Sequence, residues 1–113
     1  MNSHHFEALF KYSTICILIS DSQGRIIAVN PFALREFGYE QDELLGQKIE
    51  LLIPGRFHSN HEKIRDNYYL NPHDRPVGIN TDLFACRKDG SEFPVEVSLG
   101  NYLSEGTRYV IAS

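Results

Sequence analysis

DLFACRKDGSEFPVEVSL, residues 82–99, is the stretch on which the reading of this 113-residue chain turns. In its second half Phe93, Val95, Val97 and Leu99 alternate with Pro94, Glu96 and Ser98. A period of two puts the apolar set on one face of a strand and the mostly polar set on the other. Val95 and Val97 are then expected to point inward and Glu96 away. The residues before it alternate as well: Val77, Ile79, Thr81, Leu83 and Ala85 share one face of a strand over 77–86. Between the two runs stands Arg87-Lys88-Asp89-Gly90. Asp-Gly suits a tight turn because glycine takes positive φ without a Cβ clash, so the runs read as an antiparallel hairpin with Gly90 left-handed. An isolated hairpin is marginal in water, and its apolar face needs a cover.

The preceding chain offers that cover. Phe6, Leu9 and Phe10 fall at i, i+3 and i+4 and form one stripe on an N-terminal helix. The stripe serves either to pack on its own domain or to meet a second copy. Thr14–Ser20 is apolar on both faces, as in a covered central strand. Asp21-Ser22-Gln23-Gly24 is a turn, and Arg25–Val29 returns as a second strand. Asn30-Pro31 opens a helix: the Asn side chain accepts from a free first-turn N–H, and Pro at the first helical position gives up no bond. Ala33, Leu34 and Phe37 supply its inner face and Gly38 ends it. Gln41–Leu45 is a further short helix, with Glu40 as a weak cap, and Ile49–Ile53 a brief helical turn.

The spacing predicts the longest helix over 56–69. Phe57, His61, Ile64 and Tyr68 lie within a wedge of roughly 60° at about 100° per residue, which places His61 on the apolar face. Asn71-Pro72 stops this helix. After Leu99 the chain reads as a loop over 100–106 and a closing strand over 107–112. The fold class is α+β, with one antiparallel sheet and short helices covering one face.

Composition narrows the function. The length suits one domain over 1–113, with residues 1–12 as a flanking helix and 13–113 as the core. A net charge of −4 with dispersed basic residues argues against a nucleic-acid partner. The longest apolar run, Ile15–Ile19, is too short to span a membrane, so a cytoplasmic location and no membrane contact are expected. Cys16 and Cys86 are far apart in sequence and read as buried thiols in strands. No nucleophile elbow, phosphate-binding glycine loop or metalloprotease motif is present, so a free-standing enzyme is the weaker reading and no catalytic residue is assigned.

Taken together, Asp21-Ser22-Gln23-Gly24, Val29-Asn30-Pro31, Phe37-Gly38-Tyr39, Glu43-Leu44-Leu45-Gly46 and Arg87–Ser98 resemble the PAS sensor domains, from about Phe6 to the end of the chain. The resemblance implies a five-stranded antiparallel sheet in order 2-1-5-4-3, with helices enclosing a small cavity. It implies a sensory module of a bacterial signalling protein that detects a small ligand or partner. The attached output domain would be a histidine kinase or a cyclic-di-GMP enzyme. It also implies a homodimer through the helix before the first strand, here Phe6, Leu9 and Phe10.

For the pocket, the pattern is most similar to the haem-type oxygen-sensor subgroup. By that resemblance His61 would be the axial iron ligand, Ile79, Val97 and Leu99 the apolar distal side, and Asn67 and Arg75 the residues facing the propionates. Ile64 lines the same helix face. Thr81 departs from the subgroup by standing where its distal arginine would be. Haem is therefore the alternative, and a packed, hydrogen-bonded His61 in a pocket for an unidentified small molecule is the leading reading. Flavin is disfavoured, because residues 51–58 lack the photosensory cysteine motif and the chain has no tryptophan. His58 and His61 are too few for a structural zinc site.

Overall fold

The computed structural model describes residues 3–58 and 83–113. Its elements run α1 (Ser3–Tyr12), β1 (Leu18–Ser20), β2 (Ile26–Val29), α2 (Pro31–Phe37), α3 (Gln41–Leu44), 3-10 turns at Ile49–Leu52 and Gly55–Phe57, then β3 (Leu83–Cys86), β4 (Glu92–Val95), β5 (Leu99–Ser104) and β6 (Thr107–Ala112). All pairings are antiparallel. One sheet has the order β2-β1-β6-β5, and β3-β4 forms a separate two-stranded ribbon.

Among the described residues six strands appear in place of five because the run expected over 93–99 changes partners midway. Up to Val95 it pairs with β3, with Phe84 opposite Pro94 and Ala85 opposite Phe93. Residues 96–98 leave the ladder, and from Leu99 the chain pairs with β6. Ser98 already exchanges both backbone hydrogen bonds with Ser113, at 2.9 and 3.0 Å.

The loop expected over 100–106 is mostly strand. β5 runs to Ser104 opposite Thr107, so only Glu105 and Gly106 form the turn. Both have positive φ, 51° and 81°, the mirror-image turn whose twist matches a right-twisted hairpin. Small and polar residues at 100, 101 and 104 hid the alternation.

The strand expected over 14–20 begins only at Leu18. The main chain ahead of it bonds to Asn30 instead. The Asn30 side chain accepts from the Ile17 N–H at 2.9 Å and donates to the Ile15 carbonyl at 2.9 Å, while its backbone N–H donates to the Ile17 carbonyl at 3.0 Å. Ile15 itself is exposed, so this run is not covered on both faces. The outer edge of β2 is closed by the chain around Gly46–Ile49: Ile26 N–H donates to Gln47, Gly46 N–H to Ile26, and Ile49 N–H to Gly24.

The α2 caps match expectation. Asn30 Oδ1 accepts from Ala33 N–H at 3.1 Å, Pro31 occupies the first turn, and Gly38 ends the helix at φ 79°. Glu40 is a better start to α3 than its residue type suggests, because the Glu43 carboxylate reaches back to accept from the Glu40 N–H at 2.9 Å. At Gly55–Phe57 the chain makes a 3-10 turn and α-helical geometry begins at His58, two residues later than expected; Phe57 is partly exposed beneath the Arg56 guanidinium. The remainder of that expected helix, and the first half of the strand over 77–86, lie outside the described residues.

The core is assembled from Leu18, Ile26 and Val29 of the sheet, Ala33 and Phe37 of α2, Leu44 of α3, Leu52 and Ala85. Cys16 packs against it from just ahead of β1. Cys86 ends β3. Both thiols are free and half-buried rather than buried, and Cys86 alone of the two lies in a strand. Burial, helped by Glu36, pushes the Cys16 thiol above its ordinary range. No helix among the described residues is long and apolar enough to cross a membrane.

Candidate functional site

The inner face of the sheet can be followed strand by strand. Leu18 stands opposite Ala112, and Ser20 opposite Val110. Across β6, Ala112 faces Leu99, Val110 faces Asn101, and Arg108 faces Leu103. Leu18, Ser20 and Val110 are all buried, which identifies this as the side turned toward the core. Alternation sends Ile19, Tyr109 and Ile111 to the opposite side. There Tyr102 and Tyr109 stack at 5.3 Å between centroids, and burial raises the Tyr102 phenol above its usual range.

Of the residues expected to line a pocket, Val97 and Leu99 are described, and both are half-buried. Leu99 lies in β5 on the inner face, and Val97 in the break ahead of it. Val95 packs against the core and Glu96 is exposed, as the alternation required. His61, Ile64, Asn67, Arg75 and Ile79 lie outside the described residues, as does Thr81.

Two polar residues on the inner face escaped the sequence reading, Asn101 and Arg108. Arg108 Nη1 donates to Asn101 Oδ1, and both are half-buried. Reading 100–106 as loop concealed Asn101. The usable signal was Gly106 directly ahead of Thr107-Arg108-Tyr109-Val110, which fits a two-residue turn between paired strands.

The ribbon β3-β4 is fastened over this side by its turn. Arg87 Nε donates to the Glu36 carbonyl at 3.0 Å and the Lys88 N–H to the Phe37 carbonyl at 3.0 Å, so the turn caps the C-terminal end of α2. The Arg87 guanidinium also covers the Phe93 ring at 4.1 Å, and Phe93 meets Phe37 at 5.5 Å. Lys88 pairs with Glu43 at 2.6 Å. Arg56 pairs with both oxygens of Glu92, each at 2.6 Å, tying the 3-10 turn to β4. The Arg56 hydrogen bonds hold the Glu92 carboxyl below its ordinary range. Glu43 is lowered first by the Glu40 backbone and then by Lys88.

His58 Nε2 hydrogen-bonds the Ile53 carbonyl, which engages one of the two ring nitrogens and fixes the ring against the chain ahead of it. Among the described residues no three His, Cys, Asp or Glu side chains converge to hold a metal ion.

Most of the stripe on α1 is uncovered. No residue of the helix is buried, Phe6 and Leu9 are each 58% exposed, and Phe10 is half-buried. An open groove lined by His5, Ala8, Leu9, Tyr12 and Ser13 runs beside it.

Comparison with known proteins places this geometry. The PAS domain family profile matches residues 14–113. The sensor protein FixL of Bradyrhizobium diazoefficiens is 27% identical over 105 residues, covering 93% of this chain and 21% of that protein. The oxygen sensor protein DosP of Escherichia coli K12 is 31% identical over 108 residues, 95% of this chain and 13% of that protein. The chain thus spans about a fifth and about an eighth of these two relatives. Among solved structures, the PAS domain of an HTR-like protein from Haloarcula marismortui superposes with a TM-score of 0.78 at 28% identity. That match covers 97% of this chain and 87% of the other. A domain of a sensory box sensor histidine kinase/response regulator from Geobacter sulfurreducens gives 0.77 at 24% identity, over 97% and 91% of the two chains.

Proposed function

We propose, since this chain belongs to the PAS domain family, that it is the sensory module of a bacterial signal-transduction protein, with a small ligand or partner as its signal and a histidine kinase or cyclic-di-GMP enzyme as its output. The observation that carries this is the family match over 14–113, together with relatives named as sensors of which this chain spans only a small part. On this reading the chain is one cytoplasmic domain, residues 13–113, flanked by the helix over 1–12, and catalysis belongs to the attached domain. The test is to delete 14–113 from the complete reading frame and measure autophosphorylation and cyclic-di-GMP turnover. Output that responds to its conditions identically with and without these residues overturns the proposal.

The module assembles as a homodimer through Phe6, Leu9 and Phe10. An amphipathic helix with no buried residue of its own supports this, because uncovered apolar stripes favour a partner. Light scattering should find a dimer for the wild type and a monomer for Phe6→Glu. A wild type that stays monomeric at high concentration refutes it.

A second reading is favoured by the 31% identity to an oxygen sensor: haem, with His61 as axial ligand. The described part of the expected distal side, Val97 and Leu99, is apolar and half-buried, which fits an iron porphyrin's need for a dry wall. When bound, haem would supply reversible gas ligation. Ile79, Val97 and Leu99 would exclude water from it, and Asn67 and Arg75 would hold the propionates. Reconstitution with haemin should then give a sharp Soret band that is lost in His61→Ala. A wild type that folds but shows no specific band removes haem and leaves His61 as a packing residue.

A further inference from the structure

The inner face of the four-stranded sheet is apolar except along one diagonal. Val110 sits between Ser20 of β1 and Asn101 of β5, and Arg108 lies two residues along β6 on the same face. The hydrogen bond to Asn101 uses one of the five N–H donors of Arg108 and offsets none of its charge. The ion pairs Arg56–Glu92 and Lys88–Glu43 lie elsewhere and do not draw on Arg108. A half-buried guanidinium that cannot shed its proton calls for an anion.

The surroundings say which kind. Leu103, directly opposite Arg108, is 61% exposed and marks the open end of this face. From there the face runs past Val110 to Leu99 and Ala112, with no second charge. One cation at the mouth and an apolar wall behind it suit a molecule with a single carboxylate head and an apolar tail. We infer that Arg108, oriented by Asn101, recognises the carboxylate of a small amphiphilic acid whose tail lies along Val110 and Leu99. The inference rests on the sensory reading, since it names the ligand class of that module's pocket.

The experiment is calorimetric titration of the 113-residue chain, near neutral pH, with octanoate, octanamide and octan-1-ol. Octanoate should bind at least about tenfold more tightly than either neutral analogue, as a charge-assisted, two-pronged contact implies. Arg108→Gln should abolish that preference and leave octan-1-ol binding unchanged. Cooperative melting certifies the variant as folded. Should Arg108→Gln fail to fold, the wild-type comparison of acid with amide decides alone. Equal affinity for all three probes overturns the role of Arg108 while leaving a ligand pocket and the sensory reading intact. No binding of any probe also overturns it, and in addition withdraws support from the small-ligand half of the sensory reading. A preference for octanoate that survives in folded Arg108→Gln assigns the anion to another residue.

Discussion

Asn30→Ala will destabilise the domain by about 3 kcal/mol, from the loss of a helix cap and the stranding of buried main-chain groups. Asn30 is fully buried. Its Oδ1 accepts from Ile17 N–H and Ala33 N–H, and its Nδ2 donates to the Ile15 carbonyl. One side chain therefore starts α2 and also fixes the chain leading from α1 into β1. Asn30→Asp separates the two roles. Asp is as good an N-cap as Asn, so a residue that only capped α2 would tolerate it. Here Asp turns a second oxygen toward the Ile15 carbonyl and buries a charge, so it should be no better than Ala. Urea unfolding of the three proteins checks this. Wild-type-like stability in Asn30→Asp would show that the bonds to Ile15 and Ile17 contribute nothing.

The second large effect is expected at Phe37. Its side chain is only 6% exposed and meets the Phe93 ring at 5.5 Å, tilted by 56°. Through that contact α2 holds the ribbon β3-β4, alongside the Arg87 and Lys88 bonds to its last carbonyls. Phe37→Ala removes the ring and leaves a cavity that the helix and ribbon cannot both close, at a cost of about 4 kcal/mol. Phe37→Leu keeps most of the volume and should lose under half of that. Denaturant unfolding with unchanged m-values would assign the loss to the folded state. A loss below about 1 kcal/mol for Phe37→Ala would mean that the ribbon is held by its turn contacts rather than by this packing.

What could be read from the residues alone follows from local physics. Asn30-Pro31 and Gly38 bound α2 as expected, because caps act within one helical turn. Asp89-Gly90 placed the turn between β3 and β4, where Gly90 has φ 90°, because only a few residues favour that backbone. Val95 and Glu96 took opposite sides because side-chain alternation is a property of the extended chain itself. These pieces, in order and at their spacing, sufficed to suggest the PAS domain. The tertiary structure decided where hydrogen bonds go once strands choose partners. It ended pairing with β3 after Val95 and began pairing with β6 at Leu99, and it turned 99–104 into a strand although small and polar residues interrupt the pattern there. It also gave the main chain around Ile15–Ile17 to Asn30 rather than to a neighbouring strand. Such choices depend on donors and acceptors on other segments, thirteen and fifteen residues away for Asn30, which no local period encodes. For the same reason Asn101 and Arg108, seven residues apart, became neighbours on the inner face only when the hairpin closed.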